Sequence, residues 1–328
     1  MNEEKLIRFF TALCLAGCFA LLLSVIFLFY VSGIDTTVLQ VKGRHRFGAT
    51  YMTMNNPYYQ LLDEQIRMMI EANGDVLLSR DASMDQNKQN EQIKELIDAD
   101  VEVLFLTPVE WDSVQPGLQL AYNAGIPVII VDTPVKDHDL VACSVLSDNY
   151  QAGVLCGEHL LSIRDSANIL LLEHVTAESG KERIQGFLDT IAGHEGFNVL
   201  GSGESDGQIE NALPVMEQLL KEHPEADTLM ALNDPSAFGG MAAIRGAGLT
   251  DRFLVYGVDG TPEAKGMVKE GMMTATCAQF PLIVSEKSVE QGYEILREGV
   301  SSYGKEVVVP VELVTSENVD HFNINGWQ

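Results

Sequence analysis

Short apolar runs alternate with helical patterns from Phe47 onward. Most of these runs are uninterrupted, which is typical of strands buried on both faces of a parallel sheet. The pattern pauses after Asp132 for a strand-like segment at 141–148 and then resumes. We therefore expect an α/β protein of two lobes, each a parallel sheet flanked by helices. The predicted strands are 47–52, 75–79, 103–106, 127–131, 167–173, 197–202, 228–232, 253–258 and 273–278.

Helical signals fill the gaps between these strands. Leu62, Ile66 and Met69 repeat at helical spacing, and Gly74 stands where that helix would end. Asp85 is a candidate N-cap for the next helix. No long Pro/Gly/Ser linker separates the two halves, so we expect the lobes to be joined by short crossings, the first near 147–149.

An uncharged apolar run precedes the body of the protein at residues 9–31. A bilayer core requires about 20 helical residues, and this run is long enough. Lys5 and Arg8 precede it, and no Lys or Arg follows until Lys42. The positive-inside rule then predicts a cytoplasmic tip (1–8), one transmembrane signal anchor (9–31) and a stalk (32–45), with the body outside the cytoplasm.

Two other interpretations of this run remain open. A cleavable secretory signal has a shorter apolar core, about 7–15 residues long. The sequence Leu-Ala-Gly-Cys at 15–18 resembles a bacterial lipobox, so the protein could instead be a lipoprotein anchored at Cys18. The residues after Cys18 stay apolar, however, where a lipoprotein would become polar.

Charge and missing motifs limit the partners. The formal net charge is −26, and neutralising phosphates needs a basic surface, so a nucleic-acid partner is excluded. The acidity also argues against flat docking on an anionic membrane face. No zinc-binding, nucleophile or dinucleotide motif occurs, which predicts no metal and no cofactor. Five Cys are too few for a disulfide scaffold, and we expect Cys143, Cys156 and Cys277 to be buried thiols.

Polar and aromatic side chains follow five of the predicted strands. Open α/β sheets bind ligands at these carboxyl ends. Carboxylates and amides hydrogen-bond vicinal hydroxyls, and aromatic faces cover the C–H surface of a sugar ring. Each residue taken alone can equally cap a helix or shape a turn. The residues are Asn55, Asn56, Pro57, Tyr58, Tyr59, Asp132, Asn233, Asp234, Asp259 and Gln279.

The same segments resemble the type I periplasmic sugar-binding proteins, of the ribose-binding type. The resemblance spans about residues 46–315 and implies two lobes joined by three crossings that close on one monosaccharide or related molecule. The implied lobes are 46–146 with about 280–308, and 147–279 with about 309–320. The matching stretches are TMNNPYY (53–59), GIPVIIVDTP (125–134), SDNYQAG (147–153), ESGKERIQGF (178–187), ALND (231–234), GVDGTPEA (257–264) and TCAQFP (276–281).

The resemblance also implies a set of ligand-binding residues. Ribose binders of the family have Arg at the positions matched to Thr133 and Lys181, and an aromatic at the position matched to Gly207, which argues against ribose itself. Trp111 is a further candidate, because it could supply the missing aromatic face. The implied ligand-binding residues are Asn56, Tyr58, Tyr59, Asp132, Lys181, Asn233, Asp259 and Gln279.

The function implied by the resemblance is that of an extracytoplasmic solute-binding protein without a cofactor. Its membrane partner would be an ABC-type sugar permease or a sensor kinase that receives the ligand-bound form. An enzyme acting on sugars needs two carboxylates flanking one bond, and Asp132 and Asp259 are the available pair. Repressors with the same two-lobed core carry a DNA-binding module where this chain has residues 9–31, so that class is excluded.

Overall fold

The computed structural model describes residues 44–328. The predicted anchor at 9–31, Cys18 and most of the predicted stalk lie outside the described residues. Within residues 44–328, none of the helices combines the length and apolar character needed to cross a bilayer.

Two six-stranded sheets form the centres of two lobes. The first sheet has the order β2-β1-β3-β4-β5-β11 and is entirely parallel. The second has the corresponding order β7-β6-β8-β9-β10-β12, and only β12 runs antiparallel to its neighbour. The strands are β1 (Arg46–Tyr51), β2 (Val76–Asp81), β3 (Val103–Leu106), β4 (Val128–Asp132), β5 (Cys143–Ser147), β6 (Ala167–Glu173), β7 (Phe197–Glu204), β8 (Thr228–Ala231), β9 (Leu254–Asp259), β10 (Ala275–Ala278), β11 (Lys305–Val309) and β12 (Glu312–Thr315).

Helices cover both faces of each sheet, so every central strand is buried on two sides. In β3, Val103 and Phe105 belong to one hydrophobic cluster, whereas Leu104 and Leu106 belong to another. This arrangement explains why the strands are continuous apolar runs. The helices of the described chain are α1 (Pro57–Ala72), α2 (Gln86–Asp98), α3 (Gln115–Asn123), α4 (Asn149–Ile163), α5 (Glu178–Ile191), α6 (Ile209–Glu222), α7 (Asp234–Gly246), α8 (Pro262–Lys269) and α9 (Pro281–Glu298).

The chain passes between the lobes three times through short connections. The first follows β5, the second lies between β10 and α9, and the third joins β11 to β12. Helix α9 returns to the first lobe, where Val284 and Val289 enter the same core as α1. Because all three connections are short, they hold the carboxyl ends of the two sheets next to each other.

All nine predicted strands are present, with ends shifted by up to two residues, and the strand-like segment at 141–148 contains β5. The Asp85 carboxylate accepts a hydrogen bond from the Lys88 amide at the start of α2, which confirms the predicted cap. The sequence pattern did not predict β11 or β12. Both are short edge strands with exposed positions, such as Val308, and therefore lack a continuous apolar signal.

Helices α4 and α5 pack unusually closely through two glycines. A Cβ atom on Gly153 would collide with the carbonyl oxygen of Arg183, and one on Gly186 would collide with that of Tyr150. The closeness of the two backbones fixes the position of α5. This matters because α5 carries side chains that reach the carboxyl ends of the sheets.

We expect Gly186→Ala to lower the free energy of unfolding by about 1–3 kcal/mol, because the added methyl group overpacks a backbone contact. Denaturant titration of the purified protein measures the change. Gly246→Ala is the matched control, since Gly246 is also helical but has open space around it and should tolerate Ala without loss. Equal effects of the two substitutions would contradict the packing argument.

Candidate functional site

The carboxyl ends of both sheets face one cleft between the lobes. The first lobe contributes the loop after β1 and the end of β4, and the second contributes the ends of β8, β9 and β10. Seven of the eight residues implied by the resemblance line this cleft: Asn56, Tyr58, Tyr59, Asp132, Asn233, Asp259 and Gln279. The cleft contains about 390 Å³ of empty space, including its opening to solvent.

Two of these residues also start helices. The Asn56 side-chain oxygen accepts a hydrogen bond from the Tyr58 amide, and the Asn233 side-chain oxygen accepts one from the Ser236 amide. Both asparagines are therefore N-caps, as the alternative interpretation of each residue predicted. Capping fixes each side chain in the cleft wall, so the structural role and a binding role are compatible.

Asp132 and Asp259 end their strands in an unusual backbone conformation. Their φ angles are 76° and 134°, in the region that normally favours glycine. Each residue is only 2% exposed, and each has one carboxylate oxygen, Asp132 Oδ1 and Asp259 Oδ2, with no hydrogen-bond partner among residues 44–328. Strained backbone and an unsatisfied buried acceptor at the same residue are typical of a ligand-binding position.

The other oxygens of these carboxylates are held by neighbours. Asp132 Oδ2 accepts hydrogen bonds from Thr133 Oγ1 at 2.9 Å and from the Tyr59 hydroxyl at 3.3 Å. Asp259 Oδ1 accepts one from Gln279 Nε2 at 2.8 Å. Each carboxylate is thus oriented by the protein while its second oxygen remains free.

Arg183 is a cleft residue that the sequence analysis did not identify. Its Nε donates to Asn149 Oδ1 at 2.9 Å, its Nη1 donates to the Leu232 carbonyl at 3.1 Å, and the same Nη1 lies 3.6 Å from Asp259 Oδ1. The guanidinium is buried and lines the cleft together with Asp132 of the first lobe and Asp259 of the second.

The structure places Lys181, a residue implied by the resemblance, outside this cleft. Lys181 does not line the cleft, because it lies on the flank of α5 and forms an ion pair with Glu178 on the same helix. Arg183 lies on the buried side of α5, one turn before Phe187. The spacing of apolar residues in this helix was the signal that could have distinguished the two positions.

Trp111 lies at the boundary between the lobes and does not line the cleft. Its backbone amide donates to the Thr176 carbonyl of the second lobe at 3.1 Å, and Lys181 Nζ lies 4.2 Å from the centre of its ring system. In this arrangement Trp111 therefore lies apart from the cleft wall at Gly207. The wall around Gly207 is polar instead and includes His174, Asp206 and Gln208.

Several contacts hold the lobes together around the cleft. Thr133 Oγ1 and Ser179 Oγ share a hydrogen bond of 3.0 Å, and Asn55 Nδ2 donates to Gln208 Oε1 at 2.9 Å and to Glu210 Oε1 at 2.8 Å. With the Trp111–Thr176 contact, these bonds describe a closed arrangement.

Burial controls the charges in the site. It raises the pKa of the Asp132 and Asp259 carboxyls above their ordinary values, and the neighbouring Arg183 offsets this only in part. Burial also raises the pKa of Asp234, behind the cleft wall, to about 6. Burial lowers the pKa of Arg183, but Asp259 and Asp132 outweigh this effect and the pKa is raised. The cleft thus combines a permanent cation with carboxyls that resist ionisation.

The C-terminal segment supports the cleft from behind. Trp327 makes an edge-to-face contact with Tyr58, with ring centres 5.7 Å apart. Gln328 Nε2 donates to the Gln279 carbonyl at 2.6 Å, and buried Lys265 donates to the Gln328 side chain at 2.6 Å. These contacts link residues of both lobes, and the sequence analysis did not anticipate them.

The three described cysteines are buried and unpaired, as expected. Burial raises the pKa of the Cys143 thiol to about 11 and raises the pKa of Cys156 and Cys277 as well. Protonated buried thiols are unreactive, so these residues contribute packing rather than chemistry.

Known proteins resemble this chain in sequence and in structure. The sequence model of the "periplasmic binding protein domain" family matches residues 47–299. The ribose import binding protein of Salmonella typhimurium is 31% identical over 247 residues, which are 75% of this chain and 82% of that protein. A solute-binding protein of an ABC transporter from Mycobacterium smegmatis, solved with glycerol, matches with a TM-score of 0.81 at 27% identity and covers 87% of this chain and 100% of its own.

A further solved structure is the fructose-binding periplasmic domain of a hybrid two-component system. It matches with a TM-score of 0.78 at 25% identity and covers 85% of this chain and 93% of its own. The same fold thus occurs in relatives whose names refer to import and in one whose name refers to signalling.

We expect Asp132→Asn to stabilise the ligand-free protein at pH 7.5. Burial raises the folded-state pKa of Asp132, so the stability that its carboxyl contributes is present below the unfolded pKa of about 3.9 and is lost as pH rises through the folded pKa. The amide is uncharged at every pH, so its advantage in free energy of unfolding should shrink as pH falls from 7.5 towards 4.

Denaturant titrations at several pH values measure this difference. Asp251→Asn, at an exposed position outside the cleft, is the control that removes the same charge. An advantage of Asp132→Asn that is absent at pH 7.5, or that does not change with pH, would show that the carboxyl is not destabilised by its surroundings.

We expect Trp111→Ala to shift the lobes towards an open arrangement. A partly exposed cation–π contact is worth about 0.5–1 kcal/mol, so the ratio of closed to open molecules should fall about two- to fivefold. Small-angle X-ray scattering measures the change as a larger radius of gyration. Lys181→Met should have a similar effect, and the double variant should add little to either; additive effects would rule out a direct contact.

Proposed function

Because the chain belongs to the periplasmic binding protein domain family, we propose that it is an extracytoplasmic solute-binding protein that encloses a monosaccharide or a similar polyhydroxylated molecule between its lobes. Its relatives are solute-binding proteins, and the chain is a binding protein rather than an enzyme. Asp132 and Asp259 accordingly act as acceptors for ligand hydroxyls and not as the acid and base of a hydrolase.

The observation that carries this proposal is the pair of oxygens, Asp132 Oδ1 and Asp259 Oδ2, that have no hydrogen-bond partner in the described part of the chain. A buried acceptor without a donor costs free energy, and a ligand with several hydroxyl groups would supply the missing donors. The neighbouring amides of Asn233 and Gln279 and the guanidinium of Arg183 complete a polar lining. Tyr58 and Tyr59 add an aromatic side suited to the C–H face of a ring.

Closure of the lobes is the step that would report binding. A ligand shifts the protein towards the closed form only through contacts that the open form cannot make. Asp132 belongs to the first lobe and Asp259 and Arg183 to the second, so one small ligand touching all three would favour closure. The direct contacts between the lobes, such as Thr133 with Ser179, would form at the same time.

We further propose that residues 9–31 anchor the protein in the cell membrane, with the N-terminus in the cytoplasm and the body outside. The uncharged run and the preceding Lys5 and Arg8 support this arrangement. A lipoprotein anchored at Cys18 is the alternative. Mass spectrometry of the membrane fraction distinguishes an intact N-terminus from a cleaved and lipidated one.

The membrane partner would be the permease of an ABC-type sugar importer. The ribose import protein among the relatives supports this choice. A sensor histidine kinase is the second candidate, supported by the fructose-binding domain of the two-component system. Tethering would raise the effective concentration of the receptor beside either partner. Loss of sugar uptake on deletion would support import, whereas retained uptake with lost transcriptional response would support sensing.

The proposed site is tested by Asp132→Ala and Asp259→Ala in a thermal-shift screen. The full-length protein in detergent is screened against pentoses, hexoses and inositols, and we expect both variants to lose the ligand-induced rise in melting temperature. Removing a hydrogen bond between a buried charge and a ligand costs about 2–5 kcal/mol, or at least thirtyfold in affinity. Asp251→Ala is the control. Full stabilisation in both cleft variants would refute the site, and consumption of a sugar would indicate an enzyme.

A further inference from the structure

We propose that the ligand carries a protonated amine in addition to its hydroxyl groups, so that the cleft takes an amino sugar or an amino cyclitol in preference to a neutral sugar. This inference rests on the proposed function, because it concerns the same cleft. It follows from the balance of charged groups around a site whose carboxylates still lack partners.

The charged side chains that line the cleft are mostly acidic. Asp132, Asp206 and Asp259 face Arg183 alone, which leaves a formal excess of two negative charges. His174 also lines the cleft, but burial lowers its pKa, so it adds no positive charge at neutral pH. A neutral sugar supplies no cation to offset this excess after closure has excluded water.

Arg183 already makes contacts that leave it unable to compensate all of these carboxylates. Two of its nitrogens already donate to Asn149 and to the Leu232 carbonyl, and Asp259 is its only salt-bridge partner within 4 Å in the described chain. Within the described residues, the Asp132 side chain accepts hydrogen bonds from the hydroxyl groups of Thr133 and Tyr59 and from no cation. Burying a carboxylate against neutral donors alone is costly, and a cation nearby reduces that cost.

The second layer of the site does not supply the missing cation. Asp234, behind the cleft, accepts hydrogen bonds from the Thr261 amide and the Thr276 hydroxyl. The buried cation of this region is Lys265, whose ammonium group points to the C-terminal segment, where it contacts Gly326 and Gln328. Lys265 does not line the cleft, so Asp234 and Lys265 together add no net positive charge to it.

An ammonium group suits these surroundings. It supplies three N–H donors, and the two unpartnered oxygens, Asp132 Oδ1 and Asp259 Oδ2, need donors. Charge-assisted hydrogen bonds are also stronger than those between neutral groups. One ammonium removes half of the formal charge excess, and the raised pKa of the two carboxyls allows a proton to carry the rest.

Matched pairs of compounds test this inference by isothermal titration at pH 7.5. The pairs are D-glucosamine with D-glucose, D-galactosamine with D-galactose, and scyllo-inosamine with scyllo-inositol, each titrated into the full-length protein in detergent. We expect the amine of at least one pair to bind about tenfold more tightly than its neutral partner, which is the gain of one charge-assisted hydrogen bond. Asp206→Asn should reduce this ratio by weakening the amine more than the neutral compound.

The control and the outcomes separate this inference from the proposed function. Asp251→Asn removes an equal charge outside the cleft and should leave the ratio unchanged, which excludes a general effect of the acidic surface. Neutral compounds that bind as tightly as their amines would overturn the inference and leave the proposed function standing. Absence of binding by all six compounds would count against the proposed function as well.

Discussion

The site depends on the burial of one guanidinium among carboxylates. Arg183 is buried, so its charge must be compensated by groups that cannot move away, and the fold supplies them from several elements. The glycine contacts of Gly153 and Gly186 bring α5 close enough for Arg183 to reach the strand ends. Asp259, at the end of β9, has a strained backbone conformation, and its carboxylate lies close to the Arg183 guanidinium. The position of α5 and the geometry at the end of β9 therefore both serve to compensate the buried charge of Arg183.

The cleft wall uses several residues for two purposes. Asn56 and Asn233 hold the first turns of α1 and α7 with their side-chain oxygens while they line the cleft. Gln279 donates a hydrogen bond from Nε2 to the Asp259 carboxylate and accepts one at Oε1 from the Tyr58 hydroxyl. Such sharing makes the site rigid before a ligand arrives, because each side chain is fixed by bonds that the fold itself needs. Preorganisation of this kind lowers the ordering cost of binding.

Much of the architecture could be predicted from the sequence because buried parallel strands have a recognisable sequence pattern. Strands covered on both faces are continuous apolar runs, and the polar residue after each run marks the ligand edge of the sheet. The edge strands β11 and β12 lack this pattern, since exposed positions interrupt their apolar runs. Lys181 and Arg183 lie in one motif, and the resemblance pointed to Lys181, whereas the apolar spacing of α5 groups Arg183 with the buried side of the helix. The C-terminal contacts join residues far apart in sequence, which no local pattern encodes.

The placement of the two tryptophans gives this protein a natural optical signal. Trp327 touches Tyr58 of the cleft, and Trp111 lies beneath Lys181 at the boundary of the lobes. Both indoles therefore experience a change of surroundings when the lobes separate, Trp327 through the C-terminal segment and Trp111 through loss of the Lys181 contact. Emission from the unlabelled protein should follow lobe movement directly, and each tryptophan can be assigned by replacing the other with Phe.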